Sequence, residues 1–153
     1  MKFTNGYWQT REGLRLQHPA HIRDIDIGVD SVTVYAATKQ VQHRGDTLNA
    51  TLLTLWYSSP MPDVIRVQSF RHKGVQEKGP HFEIKPQGAP VTIAQHQDEA
   101  GISLTSGKLT MQLQGEGWKV DFRYDGRRLT GSGPRALAHI ANERDHATFM
   151  REQ

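Results

Sequence analysis

The chain has 153 residues, no cysteine and a formal net charge of +3. This length suits one domain that buries its own core without metals or disulfides, and the lack of cysteine fits a reducing cytosol. Basic residues are scattered among acids, without the cluster typical of nucleic-acid binding. No apolar run approaches the roughly 18 residues of a membrane span, and residues 1 to 6 contain no apolar signal segment. We therefore expect a cytoplasmic protein with no nucleic-acid or membrane partner.

Residues 102 to 130 alternate apolar and polar side chains at a period of two, which indicates extended strands with one buried face. Turn residues separate the runs at Ser106-Gly107, Gly115-Glu116-Gly117 and Asp125-Gly126, where glycine can adopt the positive φ of tight reversals. The stretch is therefore predicted to form an antiparallel meander of three hairpins. Its apolar set is Ile102, Leu104, Leu109, Met111, Leu113, Trp118, Val120, Phe122 and Tyr124.

Shorter runs before the meander also favour strands. Residues 51 to 57 are apolar on both parities, which predicts an inner strand covered on both faces. Asp30-Ser31 is the predicted turn of a hairpin, and His18-Pro19 interrupts the first alternation because proline cannot donate to a central ladder. The predicted strands in this part of the chain are residues 14 to 16, 25 to 29, 32 to 36, 51 to 57, 64 to 70 and 91 to 93.

Two polar segments are predicted to connect these strands. Residues 41 to 50 form a connection or a weak strand with Gly45-Asp46 as the turn. Residues 71 to 90, with three glycines and three prolines, form a long irregular excursion. Long loops in compact domains are usually functional or contact another domain, so we interpret this excursion, with Phe82 and Ile84, as a docking surface.

The tail, residues 134 to 153, fits two structures. Leu137, Ile140, Ala141 and Arg144 would share one face of a helix that starts at Pro134. Alternatively, residues 137 to 140 form a strand that turns at 142 to 145 into a strand over 148 to 151, and the pattern alone does not choose. Eight to ten short strands, with no clear helix before residue 134, predict an all-β protein with an antiparallel β-sandwich.

Histidines and acids are the first candidates for chemistry. A zinc site needs three or four converging ligands, and His18 and His21 have no third ligand nearby, while His81 and His96 lie in or beside loops. His139 and His146 would be about 10 Å apart on a helix, too far for one zinc. Solvated or packing histidines are therefore favoured. The local acid pairs, read as solvated surface groups, are Asp24/Asp26, Asp98/Glu99 and Glu143/Asp145.

The chain also lacks the short motifs of common enzymes. It contains no G-x-S-x-G, no P-loop, no G-x-G-x-x-G after a strand and no cysteine nucleophile. Gly115-Glu116-Gly117 is interpreted as a hairpin turn and not as half of a phosphate cradle. No catalytic, cofactor-binding or metal-binding residue is therefore assigned, and no cofactor is expected.

Several segments, in order along the chain, resemble the N-terminal β-sandwich domain of glycoside hydrolase family 31, most closely its bacterial α-xylosidase and α-glucosidase branch. Each segment is short, and their order makes the likeness moderately specific. They are Met1-Lys2-Phe3 to Trp8, Gly13-Leu14, His18-Pro19, Val64-Ile65-Arg66-Val67, Arg71-His72-Lys73-Gly74, Ser106-Gly107-Lys108-Leu109, Trp118-Lys119-Val120-Asp121-Phe122 and Asp125-Gly126-Arg127-Arg128-Leu129-Thr130-Gly131-Ser132.

The resemblance implies a galactose-mutarotase-like supersandwich that precedes a (β/α)₈ barrel. In the family that barrel carries two aspartates, a nucleophile and a general acid/base, for retaining hydrolysis of α-linked xylosides or glucosides. Neither aspartate transfers to any residue from 1 to 153. The resemblance also implies that the tail is a strand, that the chain stops inside a family segment, and that its partners are its own C-terminal barrel and, through that barrel, carbohydrate. The subunit count of such a parent, including a homo-oligomer, stays open.

Two rival functions remain at this point. The first is a stand-alone carbohydrate-binding module, in which an aromatic ring stacks on a sugar. Trp118 is in phase with Val120 and Phe122, and Trp56 lies in the most apolar strand, so both are expected in the core. The second rival is a sandwich used only for protein association. The candidate stacking residues for the first are Tyr7, Trp8, Trp56 and Trp118.

Overall fold

The computed structural model describes residues 4–5, 9–48, 50–71, 90–96, 101–114 and 117–152. Within these ranges the chain forms fourteen β-strands and one short 3₁₀ turn, Arg44–Thr47. The strands are β1 (Thr4–Asn5), β2 (Gln9–Thr10), β3 (Leu14–Gln17), β4 (His21–Ile27), β5 (Ser31–Ala37), β6 (Leu52–Ser58), β7 (Arg66–Phe70), β8 (Val91–His96), β9 (Gly101–Ser106), β10 (Leu109–Gln114), β11 (Lys119–Tyr124), β12 (Arg127–Ser132), β13 (Ala138–Asn142) and β14 (Thr148–Arg151).

The strands form two large antiparallel sheets and two small ones. One large sheet has the order β4-β5-β6-β7 and the other β12-β11-β10-β9-β8, so each is a meander of sequential neighbours. A three-stranded sheet has the order β14-β13-β3, and β1 pairs with β2. None of the helical segments in the described ranges is long and apolar enough to cross a membrane.

One hydrophobic core lies between the two large sheets. Alternate residues of each central strand point into it, as strand geometry requires, and they come from both sheets, which makes the fold a β-sandwich. The predicted fold class is confirmed. The core side chains are Val32, Val34 and Ala36 of β5, Leu53, Leu55 and Tyr57 of β6, Ile102 and Leu104 of β9, Met111 and Leu113 of β10, and Trp118, Val120 and Leu137.

The predicted meander over residues 102 to 130 is confirmed, since β9, β10, β11 and β12 each pair antiparallel with the next strand along the chain. Gly107 has φ 57° and Gly126 has φ 80°, the left-handed conformation for which glycine is favoured. In register, Leu104 pairs with Met111 and Met111 with Phe122, so these apolar side chains share the core face. The alternation in the sequence therefore locates both the strands and their buried side.

The outer face of this five-stranded sheet carries an ion pair. Arg128 Nε donates to Asp121 Oδ1 at 2.8 Å, and Lys119 Nζ lies 3.6 Å from Asp121 Oδ2. The hydrogen bond from Arg128 lowers the pKa of Asp121, because it stabilises the charged carboxylate. A Cβ atom at Gly131 would overlap both Asp121 and the carbonyl oxygen of Val120, so glycine makes room for the guanidinium group.

The tail forms strands β13 and β14 and not a helix, which confirms the strand alternative. Ile140 pairs with Phe149 on one side and with Leu16 on the other. The connecting turn is held by side chains, since Asn142 Oδ1 accepts from Arg144 N and Asp145 Oδ1 accepts from Ala147 N. The helix alternative is therefore wrong. The tail is extended because β13 pairs with β3, which lies far away in sequence.

Several boundaries differ from the sequence-based expectation. Val29 was expected in a strand but lies in the β4 to β5 turn, where it is 98% exposed. Strand β7 begins at Arg66 and not at residue 64. The predicted connection over 41 to 50 is confirmed, with the 3₁₀ turn inside it. Tyr7, Trp8 and residues 72 to 89 of the excursion, including Phe82 and Ile84, lie outside the described residues.

Candidate functional site

The outer face of the four-stranded sheet is the first candidate surface. Cross-strand register places Asp26, Thr33, Trp56 and Gln68 in one row across β4, β5, β6 and β7. The flanking rows add Tyr35 on one side and Ser31, Ser58 and Arg66 on the other. We call the set Asp26, Thr33, Tyr35, Trp56, Ser58, Arg66 and Gln68 the Trp56 face.

Trp56 was expected in the core because β6 is apolar on both parities. Its neighbours Leu55 and Tyr57 do point into the core, but Trp56 lies on the opposite side and is only partly buried. The guanidinium carbon of Arg66 lies 5.6 Å from the centre of the Trp56 ring, within the range of a cation–π interaction. The expectation of a core position is therefore wrong for Trp56.

The Trp56 face contains polar atoms that no hydrogen bond satisfies. Ser58 Oγ, Arg66 Nε and Gln68 Oε1 are all buried and have no hydrogen-bond partner within the described structure. Ser58 as a whole is only 8% exposed. Buried polar groups are nearly always paired, but four further buried atoms, Trp118 Nε1, Arg123 Nε, Ser132 Oγ and Arg151 Nε, are also unpaired within the described structure. The three atoms therefore do not distinguish this face as a binding site.

The negative charge of the Trp56 face lies on the β4 edge of the sheet, opposite Arg66 on β7. Tyr35 donates its hydroxyl hydrogen to Asp26 Oδ2 at 3.0 Å. This hydrogen bond raises the pKa of Tyr35, because losing the phenolic proton would place two negative charges together. Tyr35 is thus held as a neutral ring beside a carboxylate.

One end of the sandwich is the second candidate surface. It is formed by the β4 to β5 turn, the loop 59 to 65, and the β9 to β10 and β11 to β12 turns, which register and loop contacts place together. Six of the ten large apolar side chains exposed in the described ranges lie there. We call this set, Ile27, Val29, Met61, Val64, Val67 and Tyr124, the apolar end.

At the apolar end, two hydrogen bonds join the loop 59 to 65, which connects β6 and β7, to the end of β9 and the β9 to β10 turn in the other sheet. Ser59 Oγ lies 2.7 Å from Ser106 Oγ, and Asp63 Oδ1 accepts from the backbone N of Lys108 at 2.6 Å. Asp63 itself has φ 61°, an uncommon conformation for a residue other than glycine. We call the Asp63, Gly107 and Lys108 arrangement the Asp63 clamp.

The remaining aromatic and acidic candidates do not form a site. Trp118 is 3% exposed and belongs to the core, as expected. Asp24 and Asp26 lie on the outer face of β4, while Glu143 and Asp145 lie in the β13 to β14 turn. Asp98 and Glu99 fall outside the described residues.

The described histidines are dispersed. His21 Nδ1 accepts from Val41 N, His43 Nε2 lies 3.5 Å from Asp46, and His146 sits in a turn. Among the residues that the structure describes, no group of three or more histidines and acids is placed to hold a metal ion. The side chain of His96 and the whole of His81 are not among them.

His18 and His139 are half-buried beside the three-stranded sheet. His18 Nδ1 lies 3.0 Å from the carbonyl oxygen of Leu137, and His139 Nε2 lies 2.9 Å from Ser69 Oγ. Burial lowers the pKa of both rings, because a less polar environment disfavours the charged imidazolium. Both rings are therefore neutral in the folded chain at pH 7.

We expect the thermal midpoint of unfolding to fall when the pH is lowered from about 7.5 to about 5.5. The unfolded chain has ordinary histidine pKa values of about 6.5, so it binds protons before the folded chain does. Above about pH 6.5 these two histidines are neutral in both states and the folded state has its full stability. As the pH falls from there toward the lowered pKa values of the folded chain, the unfolded state binds more protons and the folded state loses stability. The double variant His18→Asn, His139→Asn should show a smaller fall over this range in scanning calorimetry. An equal fall in the variant would contradict the role of these rings.

Two curated relatives align with most or all of the chain. Alpha-xylosidase XylQ of Lactiplantibacillus pentosus is 31% identical over 153 residues, which are 100% of this chain and 20% of the relative. The chain is therefore similar to an α-xylosidase along its whole length. An alpha-xylosidase of Emericella nidulans is 28% identical over 150 residues, 93% of this chain and 19% of the relative. The chain thus spans about a fifth of the length of these α-xylosidases, and the resemblance to a domain of such enzymes is confirmed.

Solved structures with the same fold include two of the protein lmo2446 from Listeria monocytogenes EGD-e, one of them in complex with glucose, magnesium and calcium. Each superposes with a TM-score of 0.59 over 86% of this chain and 11% of that protein. The sequence identities are 16% and 12%, so this likeness concerns the fold alone. No family model matches the chain.

Proposed function

We propose that this chain is the N-terminal β-sandwich domain of a retaining α-glycosidase of glycoside hydrolase family 31. The observation that carries the proposal is the alignment of the entire chain with a fifth of an α-xylosidase at 31% identity. Together with the sandwich fold, it favours a mutarotase-like supersandwich as one domain of a much longer enzyme. The proposed substrates of that enzyme are α-linked xylosides or glucosides, and its proposed location is the cytoplasm.

In this proposal the domain does not perform catalysis. Retaining glycosidases use two carboxyl groups about 5 Å apart across the scissile bond, one as nucleophile and one as acid and base. Asp24 and Asp26 on the outer face of β4, and Asp145 in the β13 to β14 turn, each accept a local hydrogen bond. The proposed catalytic pair belongs to a barrel, and the sandwich supports that barrel and shapes the sugar site.

The apolar end is the proposed docking surface for the barrel. Exposed apolar side chains that gather in one region of a domain commonly mark an interaction site, and interface cores are rich in apolar and aromatic residues. The Asp63 clamp and the Ser59–Ser106 hydrogen bond hold this end in one conformation. A rigid surface loses little entropy on docking.

Hydrolysis of a chromogenic α-xyloside and α-glucoside by two polypeptides tests the proposal. We expect no turnover by the 153-residue chain. We expect turnover by a longer polypeptide that also includes the product of the coding sequence after Gln153. That downstream sequence should encode a barrel with two suitably placed aspartates. A stop codon directly after Gln153, or turnover by the short chain itself, would overturn the proposal.

A further inference from the structure

The β11 to β12 turn places an aspartate directly before a glycine at an exposed hairpin tip. Tyr124 pairs with Arg127, so the turn itself consists of Asp125 and Gly126. Their φ angles are 50° and 80°, both in the left-handed region, as in a type I′ turn. The side chain of Asp125 is 75% exposed. Its carboxyl group is therefore in contact with solvent.

The carboxylate of Asp125 is also held less firmly than most others. Asp125 and Asp30 accept no side-chain hydrogen bond within the described ranges, and the nearest cation, Lys108 Nζ, lies 4.0 Å from Asp125 Oδ2 on an exposed side chain. The carboxyl group of Asp125 is therefore able to turn about its own side-chain bonds. The aspartates whose carboxylates do accept hydrogen bonds are Asp24, Asp26, Asp46, Asp63, Asp121 and Asp145.

The backbone nitrogen of Gly126 is a nucleophile placed next to this carboxyl group. In a two-residue hairpin turn the ladder hydrogen bonds belong to the flanking residues, so the N–H group of Gly126 lies outside the ladder. No heavy atom lies within 4 Å of the point where a Cβ atom of residue 126 would stand. Glycine also has the widest backbone freedom of any residue. The approach of this nitrogen to the carboxyl carbon is therefore less hindered than it would be before a larger residue.

We propose that Asp125 is a site of spontaneous isomerisation to isoaspartate, through a cyclic imide formed with the backbone nitrogen of Gly126. In the first step this nitrogen loses its proton and bonds to Cγ of Asp125, and the carboxyl oxygen leaves as water. In the second step water opens the ring. Cleavage between the nitrogen and Cγ restores aspartate, whereas cleavage between the nitrogen and the main-chain carbonyl carbon gives isoaspartate. The water lost is regained, so no atom and no electron is gained or lost overall.

The modification would change the geometry of this turn. Isoaspartate routes the main chain through Cγ and so adds one methylene group between residues 125 and 126, which a type I′ turn does not accommodate. The hydrogen bonds from Asp125 N to Lys108 O, at 3.0 Å, and from Arg123 to Gly126 O, at 3.2 Å, depend on the unmodified turn. Tyr124 of the apolar end directly precedes it. An effect on docking rests on the proposed function, whereas the modification itself does not.

Incubation of the 153-residue chain at neutral pH in water enriched in heavy oxygen tests the proposal. Proteolytic peptides are then analysed by mass spectrometry with electron-transfer fragmentation, which distinguishes isoaspartate from aspartate. We expect isoaspartate to accumulate at residue 125 and to carry one heavy oxygen from ring opening. Asp30 is the internal control, because it is also exposed but is followed by Ser31 of strand β5. It should accumulate less.

Two variants test the roles of the two turn residues. Asp125→Glu keeps the negative charge but requires a larger ring, and Gly126→Ala places a Cβ atom beside the attacking nitrogen. Both should lose the modification at residue 125, and circular dichroism verifies that each is folded. Assignment by peptide keeps any product of Asn5-Gly6 separate. No isoaspartate at residue 125, as much at residue 30, or an undiminished amount in Gly126→Ala would overturn this proposal and leave the glycosidase proposal untouched.

Discussion

Leu104→Ala should lower the free energy of unfolding by about 3 kcal/mol, because it opens a cavity in the core between the two sheets. Leu104 is 0% exposed and lies on β9, among residues from both sheets. The packed core cannot collapse fully around a missing side chain. Urea unfolding monitored by circular dichroism measures the loss directly.

Leu129→Ala is the matched control for this substitution. Leu129 lies on β12 of the same sheet but is 52% exposed, so its removal should change stability by no more than about 0.5 kcal/mol. Similar losses for both variants would mean that the buried face of the meander has been assigned incorrectly.

Gly107→Ala should lower the free energy of unfolding by about 2 to 3 kcal/mol, through two separate effects. The positive φ of 57° costs a non-glycine residue about 1 kcal/mol. In addition, the new Cβ atom would overlap the carboxylate of Asp63 and disturb its hydrogen bond to Lys108 N, which is worth about 1 to 2 kcal/mol. Urea unfolding again provides the measurement.

Two comparisons separate these effects. Gly126 has φ 80° but open space where its Cβ would lie, so Gly126→Ala should cost only about 1 kcal/mol. In an Asp63→Ala background Gly107→Ala should also cost about 1 kcal/mol, because the carboxylate is gone. If the losses in free energy of unfolding of Gly107→Ala and Asp63→Ala simply add up in the double variant, the Asp63 clamp does not form.

The meander could be predicted from the sequence because its determinants are local. Glycines at the turns, such as Gly107 and Gly126, and a strict period of two set both the strand limits and the buried face. The same logic located the β4 to β5 hairpin. It misplaced Val29, since a single apolar residue next to a turn continues the pattern without being buried.

The tail could not be predicted from its pattern because Leu137, Ile140 and Ala141 suit a helix face and a strand equally well. The deciding interaction is the pairing of β13 with β3 at the other end of the chain. No local signal identifies such a partner. The family resemblance did imply the strand, since it carries information from longer relatives.

The Trp56 face was missed for a related reason. Strand β6 is apolar on both parities, so its outward residues, Trp56 among them, could not be told from its inward ones. The signal lay on the neighbouring strand, where Arg66 and Gln68 alternate with Val67 and mark the polar side. The Asp63 clamp could not be predicted from the sequence, because the hydrogen-bond partner of Asp63 is 45 residues away along the chain.

The pairing of β3 with β13 has a consequence for biosynthesis. His139 lies opposite Gln17 in this sheet, so β3 leaves the ribosome on the order of ten seconds before the strand it must join. During translation its backbone donors and acceptors are open to pairing with other nascent chains, a recognised route to aggregation. Slow elongation or a shortage of chaperones should therefore reduce the yield of correctly folded protein more than its final stability suggests.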